Sequence, residues 1–210
     1  MHIYFLPLGM IGLSVSNLTK KYNRKLIFDG LSFSHSKGVL GISGSNGSGK
    51  STMLKCLANL LRPNDGTIVW KADGKVLSKT ELKKRLGYAA PYINLYDELT
   101  VLENLQFLAE ASVLNHEKSF YSELLLKTET DVLKDKLFKS LSTGQQQRAK
   151  LAASLIKNPS ILLWDEPGSN LDVQGKRLVS AIIKQEAEKG TCVIIASNDA
   201  EEISLCDNVV

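Results

Sequence analysis

The chain has 210 residues, enough for one large domain or for a domain with a subdomain, and its 43% hydrophobic and 23% charged residues exclude disordered and collagen-like proteins. The formal net charge is +4, and the basic residues do not form the concentrated patch typical of nucleic-acid-binding proteins, so no nucleic-acid partner is expected. Three cysteines without CxxC spacing, Cys56, Cys192 and Cys206, argue against a disulfide framework and a structural zinc site, and favour a reducing compartment.

The N-terminal stretch 3–15 is apolar, but it contains a proline and two glycines and is shorter than the ~20 residues of a membrane-spanning helix. It also lacks the basic region and the small-residue cleavage site of a signal peptide. Two interpretations of residues 1–9 stay open. They belong to the first strand region, or, because Met10 is a second methionine, they are an extra piece that precedes it.

The first third of the chain begins with short apolar runs of β-type residues. The runs at 11–15 and 31–33, separated by a polar turn at 23–25, predict two strands of a small antiparallel layer. A third run at 39–43 ends in a stretch rich in glycine and serine.

After Lys50, apolar residues recur at helical spacing until Arg62 and Pro63, which predicts a helix that ends there. A turn at 64–66 then leads into a strand predicted at 67–70.

In the second half of the chain, the predicted strands and helices do not alternate regularly. An amphipathic helical pattern from about 100 to 133 interrupts the α/β order, and the continuous apolar runs at 161–164 and 192–196 are typical of strands that are buried on both faces. A helix is predicted between them, near 178–188.

The glycine-rich segment 44–52, GSNGSGKST, fits the pattern G-x-x-x-x-G-K-[ST] after a strand and at the start of a helix. Its glycines let successive backbone N–H groups point inward, and the helix N-terminus adds a positive dipole end. Lys50 supplies a point charge for the β and γ phosphates of ATP, and Ser51 supplies a hydroxyl for Mg²⁺. The segment therefore predicts an ATP site.

The strand predicted at 161–164 ends in two carboxylates. At the carboxyl edge of a parallel sheet, beside the glycine loop, Asp165 is expected to hold Mg²⁺. Glu166 is expected to polarise an attacking water molecule. The pair makes ATP hydrolysis the predicted chemistry.

The segment 141–148, LSTGQQQR, lies between these two motifs and resembles the LSGGQ signature of ABC-type ATPases, with Thr143 in place of one glycine. The resemblance covers about 11–210. It implies one α/β domain, 1–210, with the P-loop NTPase fold of ABC type: a mostly parallel core sheet flanked by helices, a small antiparallel β layer, and an inserted helical subdomain at about 92–158.

The resemblance also implies that two such domains pack head to tail, so that Ser142 and Gly144 of one contact the γ-phosphate held by the other. A helix predicted at 144–157 agrees, because a helix N-terminus is an anion site. Tyr22 is similar to the aromatic residue that stacks on adenine, and Asp172, in the segment SNLD, is similar to the residue that organises the opposite site.

Two positions depart from the family pattern. Pro91 stands where the family usually carries glutamine, and proline offers neither a side-chain amide nor a backbone donor. Asn198 replaces the switch histidine; its amide can still donate to a γ-phosphate but cannot carry positive charge. Slow or partner-dependent hydrolysis is expected from these changes.

The residues predicted to contact the nucleotide are Tyr22, Gly44, Ser45, Asn46, Gly47, Ser48, Gly49, Lys50, Ser51, Thr52, Ser142, Gly144 and Gln145. The predicted catalytic residues are Glu166, Lys50 and Asn198, and the predicted Mg²⁺ ligands are Ser51 and Asp165.

The function that the resemblance implies is that of the ATP-binding subunit of an ABC transporter, which hydrolyses ATP with Mg²⁺ to drive a separate membrane subunit. The expected partners are that membrane subunit and a second ATP-binding subunit, and the expected location is cytoplasmic, peripheral at the inner face of the cell membrane. The size is similar to small exporter subunits such as the heme-exporter ATPase of cytochrome c maturation. Because strands that usually follow are missing after Val210, a compact variant or a truncated chain is expected.

Two other functions stay open. A subunit that sandwiches ATP without turning it over is favoured by Pro91 and Asn198 and opposed by Glu166. A soluble ABC protein that acts on ribosomes or DNA would normally be a tandem of two domains or carry a long coiled-coil insertion, and neither is visible.

A surface for the membrane subunit is predicted at 91–99 and on the helix that begins near Thr100. Tyr92, Ile93, Leu95 and Tyr96 form an apolar cluster there, and an exposed apolar patch is typical of an interface. Burial under the helical subdomain is the alternative.

Overall fold

Two β-sheets organise the residues that the computed structural model describes, which are 10–23 and 25–210. The strands are β1 (Ile11–Tyr22), β2 (Lys25–His35), β3 (Val39–Ser43), β4 (Asp65–Ala72), β5 (Lys75–Val76), β6 (Leu86–Ala89), β7 (Ile161–Asp165), β8 (Cys192–Ser197) and β9 (Asn208–Val209). The helices are α1 (Lys50–Leu57), α2 (Lys79–Arg85), α3 (Val101–Ala111), α4 (Lys118–Lys127), α5 (Thr143–Leu155), α6 (Val173–Glu188) and α7 (Ala200–Ile203), with 3-10 turns at Asp131–Leu133 and Phe138–Ser140. Residues 1–9, for which the sequence leaves two interpretations open, lie outside the described residues.

The larger sheet has the strand order β6-β7-β8-β3-β9, and its strand pairs are parallel. The smaller sheet has the order β2-β1-β4-β5 and is antiparallel. Helices flank the parallel sheet, and the chain between β6 and β7 carries α3, α4 and α5. The predicted fold class is therefore confirmed. Among the described residues, no helix is both long enough and apolar enough to cross a bilayer.

The hairpin predicted near the N-terminus is present, but both strands are longer than the runs 11–15 and 31–33. The polar residues that follow 11–15 belong to β1 because they form hydrogen bonds with the neighbouring strand and with a segment outside the sheet. The Thr19 hydroxyl donates to Asp29 (2.8 Å), and Lys20 Nζ donates to the carbonyl of Arg62 (2.8 Å).

The prediction that the first helix runs to Arg62 is wrong, since α1 ends at Leu57. Asn59 adopts φ = +55°, a left-handed conformation that asparagine tolerates better than most residues. The N–H groups of Leu60 and Leu61 then turn back to the carbonyl of Lys55. The apolar residues at 58–61 therefore continue the helical spacing without continuing the helix.

The helical region predicted at 100–133 consists of α3 and α4, separated by a non-helical stretch at 112–117. Thr100 and Glu103 form a capping box that fixes the start of α3 where the sequence predicts it. The subdomain bounds of about 92–158 stay a prediction.

The core lies on both faces of the parallel sheet because β7 and β8 are buried along their whole length. Leu162 and Trp164 face the helical side with α5 and α6, whereas Ile161 and Leu163 face α1 and the antiparallel sheet. Burial on both faces explains why the sequences of these strands are continuous apolar runs.

The register of the parallel sheet decides where the site forms. β8 lies between β7 and β3, so Asp165 and Ile42 flank Ala196 from opposite sides, and Ser43 lies beside Ser197. The segments that follow these three strands therefore leave the sheet at one edge. They are the glycine loop, the turn that begins at Glu166, and the segment that contains Asn198.

Candidate nucleotide site

The glycine loop connects β3 to α1 with backbone conformations that only glycine adopts easily. Gly49, the N-cap of α1, has φ = +104°, and a Cβ there would lie 2.4 Å from Ile27 Cγ2. Gly44 has φ = +154°, and a Cβ there would lie 2.6 Å from Ser48 Oγ. The first turn of α1 has neither a side-chain cap nor an acidic residue, so its N–H groups remain donors for an anion.

Lys50 bends back over this loop. Its side chain is 7% exposed, and Nζ donates to the carbonyls of Gly44 (2.8 Å) and Ser45 (3.3 Å). The same Nζ lies 3.4 Å from Glu166 Oε1. The lysine thus connects the glycine loop to the carboxylates at the end of β7, which the sequence predicts to lie beside it.

Asp165 lies at the end of β7 with 1% exposure, and within the described ranges no hydrogen bond of ordinary geometry reaches either carboxylate oxygen, although the Ser51 hydroxyl lies near them. Burial raises the pKa of Asp165, the charge of Glu166 adds to this, and the Ser51 hydroxyl and the ammonium groups of Lys55 and Lys50 oppose it. A buried carboxylate without partners is costly unless a cation neutralises it. Asp165 and Ser51 therefore fit Mg²⁺, which prefers one or two protein oxygens and keeps its other positions for water and phosphate.

Glu166 follows directly and points its side chain to the edge of the sheet, where it is 25% exposed. Its backbone has φ = +47°, and its N–H donates to the carbonyl of Ala196 (2.8 Å). A cavity of about 300 Å³ opens here; it is lined by Ile27, Asn46, Gly47, Gly49, Lys50, Ser51, Thr52 and Glu166. The loop, the cation and the carboxylate thus share one cavity.

Asn198, which follows β8, reaches the same place. Its Nδ2 donates to Asn46 Oδ1 at 2.9 Å, with both side chains exposed. The structure therefore brings the predicted switch position to the glycine loop.

Other predicted residues lie apart from this cavity. Ser142 caps α5 in a capping box with Gln145, in which Ser142 Oγ accepts from the Gln145 N–H (3.3 Å) and Gln145 Oε1 accepts from the Ser142 N–H (3.0 Å). No hydrogen bond or ion pair within 10–23 and 25–210 joins Ser142, Gly144 or Gln145 to the glycine loop. Among the described residues of one chain, the two segments are therefore not bonded to each other.

The remaining predicted positions have local partners. Tyr22 ends β1, is 47% exposed, and has Lys20 Nζ 5.1 Å from its ring centroid. Asp172 caps α6 and accepts from the Gly175 N–H (2.8 Å). The exposed Pro91 accepts a hydrogen bond on its carbonyl from Lys150 Nζ (3.1 Å).

A pair of hydrogen-bonded tyrosines lies near Asp165; the sequence predicts one of them, Tyr92, only as part of an apolar surface cluster. The hydroxyls of Tyr88, in β6, and Tyr92 are hydrogen-bonded, and Lys55 Nζ lies 3.9 Å from the centroid of the Tyr92 ring. Burial, with the charge of Asp165 added, raises the pKa of both tyrosines, so both stay protonated. The only signal in the sequence is two tyrosines that flank Pro91, and this pattern does not indicate a site.

Comparison with known proteins points to one family. Residues 28–169 match the family described as ABC transporter. LnrL of Bacillus subtilis (strain 168), a linearmycin resistance ATP-binding protein, is 34% identical over 204 residues, which are 94% of this chain and 65% of LnrL. The chain thus spans slightly less than two thirds of the length of that relative.

Solved structures agree with the sequence match. CbiO1 of Clostridium perfringens, described as part of the ABC transporter complex cbiONQ, has a TM-score of 0.75 and 27% identity, with 94% of this chain and 82% of that chain covered. The ATP-binding cassette MJ0796, in a dimeric post-hydrolysis state with ADP and Pi, has a TM-score of 0.81 and 26% identity, with 94% and 93% covered. The chain therefore belongs to the family of ABC transporter ATP-binding proteins and is an ABC-type ATPase.

Proposed function

We propose that this chain hydrolyses ATP at a site completed by a second ATP-binding subunit, and that it thereby drives a separate membrane subunit. The observation that carries the proposal is the convergence of Lys50, Asp165 and Glu166 at the edge of the parallel sheet, where Lys50 Nζ lies 3.4 Å from Glu166 Oε1. A cation for phosphate, a carboxylate for metal and a carboxylate for water are the groups that phosphoryl transfer needs.

Lys50 binds the triphosphate in this proposal. The backbone N–H groups of the glycine loop and of the first turn of α1 contact the phosphate oxygens, and Lys50 Nζ exchanges its contact with Glu166 for the β and γ phosphates. Tyr22, exposed at the end of β1, is available to stack on the adenine ring. The exchange also leaves the carboxylate of Glu166 free to accept a proton.

Glu166 is proposed as the base. Water attacks the γ-phosphorus, the bond from that phosphorus to the bridging oxygen of ADP breaks, and the water proton passes to Glu166. Asp165 and Ser51 would hold Mg²⁺, which neutralises the charge that develops on the phosphate oxygens when it is bound. Asn198 would donate its amide to the γ-phosphate, since it already lies 2.9 Å from Asn46 in the loop.

The second subunit supplies Ser142, Gly144 and Gln145. Support comes from the absence, among the described residues, of a hydrogen bond between them and the glycine loop of the same chain, and from the dimeric state of MJ0796. The Ser142 hydroxyl accepts the Gln145 N–H, so its own hydrogen is available to a phosphate oxygen. The N-terminus of α5 adds a positive dipole end.

The membrane subunit is proposed to dock at 91–99 from the cytoplasmic side, and the chain is proposed to serve an exporter. Tyr92 and Tyr96 are exposed, in contrast to the alternative that the helical subdomain buries them. Support for a membrane partner comes from CbiO1, part of a transporter complex, and support for export comes from LnrL, a resistance protein. A cysteine introduced at Asn94, which is exposed, should crosslink to the membrane subunit. Crosslinks that form only from other faces would show that the interface lies elsewhere.

The test of hydrolysis is steady-state phosphate release by the wild-type chain and by Glu166→Gln, with MgATP affinity measured in parallel. Turnover in the wild type and its loss in Glu166→Gln at unchanged affinity are expected. Tight binding with no turnover in the wild type would favour the regulatory subunit that only sandwiches ATP, which Pro91 and Asn198 favour. Co-purification with membranes would distinguish a transporter subunit, whether it hydrolyses ATP or only binds it, from a soluble ABC protein.

A further inference from the structure

The backbone of Glu166 is strained. With φ = +47° it occupies the left-handed region, which is unfavourable for a residue with a long side chain. Most other non-glycine residues with positive φ in the described ranges are asparagine or aspartate, which tolerate it. Such a conformation persists only when the surroundings hold it. The contacts around Glu166 therefore identify the groups that fix its direction.

One of these contacts comes from α7. Glu202 is 4% exposed, and its Oε1 accepts a hydrogen bond from the Gly168 N–H at 2.7 Å. A Cβ at Gly168 would lie 2.3 Å from the same oxygen, so glycine is what allows the carboxylate to approach.

A second contact comes from α5. Gln147 is 3% exposed, and its Nε2 donates to the carbonyl of Pro167 at 3.0 Å. The turn itself is closed by the Ser169 N–H, which donates to the carbonyl of Glu166 (3.0 Å). Two buried polar side chains from two helices thus bind consecutive residues directly after Glu166.

We propose that Glu202 and Gln147 are positioning residues that hold the turn 166–168 and so aim the Glu166 carboxylate at the attacking water. The proposal rests on the proposed role of Glu166 as the base. Simple packing does not account for Glu202, because a carboxyl group at 4% exposure is costly to bury and an apolar side chain would fill the space at lower cost.

The experiment compares three single variants with the wild type. Glu202→Met removes the acceptor at similar volume, Glu202→Gln keeps an oxygen that can accept from the Gly168 N–H, and Glu201→Gln is the matched control, since Glu201 is exposed on the same helix. The readouts are the single-turnover rate with excess protein and the affinity for a fluorescent ATP analogue with Mg²⁺.

We expect Glu202→Met to slow the single-turnover rate by about ten-fold or more at nearly unchanged affinity, because small misplacements of a reacting group cost this much. Glu202→Gln should recover most of the rate, and Glu201→Gln should match the wild type. If Glu202→Met does not fold, Gln147→Met, which removes the donor to Pro167, should show the same split between rate and affinity.

Three results would overturn the proposal: a wild-type rate in Glu202→Met, an equal loss in Glu202→Gln and Glu202→Met, or a loss of affinity in proportion to the loss of rate. Glu166→Gln is measured beside them. If Glu166→Gln keeps the wild-type rate, the proposed function of Glu166 fails and this inference fails with it. If Glu166→Gln abolishes turnover while Glu202→Met does not slow it, only the inference about positioning fails.

Discussion

Replacing Lys50 by alanine removes the cation that lies over the glycine loop, and we expect it to abolish most of the affinity for MgATP while the protein stays folded. The loop keeps its shape in this variant because the conformations of Gly44 and Gly49, and not the lysine, set the course of the backbone. The variant therefore isolates the contribution of one charge to binding.

The magnitude follows from the contacts of Lys50 Nζ. In the free protein it bonds two carbonyls, at 2.8 and 3.3 Å, and pairs with Glu166. Hydrogen bonds to charged groups are worth about 1.5–3 kcal/mol each, so two bonds to phosphate oxygens give about 3–6 kcal/mol. The partly exposed ion pair that is lost on binding offsets about 1 kcal/mol. A net loss of about 2–5 kcal/mol weakens binding by roughly 30-fold to 4,000-fold.

The assay is isothermal titration calorimetry with a nonhydrolysable ATP analogue and Mg²⁺, with thermal melting as the check on folding. Lys55→Ala is the matched control, because it removes the same charge from the same helix while its Nζ lies over Tyr92 and not over the loop. Affinity of Lys50→Ala within about three-fold of the wild type would refute the reasoning, since the expected loss is at least roughly 30-fold.

Three further predictions concern the carboxylates and the switch position. Glu166→Gln keeps the shape of the side chain but accepts no proton, so bound ATP should persist and hold two subunits together. Gel filtration with MgATP should therefore show a dimer, and a monomer at high protein concentration would count against a composite site. Burial raises the pKa of Asp165, so in metal-free protein the ionised form destabilises the fold as the pH rises through that pKa. Asp165→Asn should therefore melt at a higher temperature than the wild type at pH 7 without metal, and should lose the stabilisation by MgATP; a lower melting temperature would contradict this. Asn198→His should raise the single-turnover rate by about ten-fold without tighter binding and should add a dependence on pH near neutrality, because histidine titrates there. An unchanged rate would show that Asn198 does not act on the γ-phosphate.

Much of the fold could be predicted because its signals are local. The continuous apolar runs of β7 and β8 reflect burial on both faces, and the glycine loop needs residue types that few other structures need. The end of α1 could not be predicted in this way, since a single left-handed residue, Asn59, ends the helix while the apolar spacing continues. The length of β1 depends on partners such as Asp29 and Arg62, which are distant in sequence.

The residues of the candidate site also differ in whether a local sequence signal reveals them. Lys50, Asp165 and Glu166 stand out by type and spacing, and the structure places them together. Glu202 and Gln147 carry no such signal, because their role depends on contacts with the backbone at Pro167 and Gly168, and backbone contacts leave no pattern of residue types. The strain at Glu166 is equally invisible, since glutamate seldom adopts that conformation.

The capping box at Ser142 has a consequence for how turnover depends on protein concentration. The α5 N-terminus shares no bond with the glycine loop of its own chain among the described residues, and the proposed composite site requires an encounter between two molecules. At dilutions where most molecules are single, turnover per molecule then falls in proportion to concentration, and the total rate falls with its square. A membrane subunit that holds two copies side by side raises their effective concentration to about the millimolar range. Free copies in dilute solution would then consume little ATP, and consumption would concentrate where a transporter is present to use it.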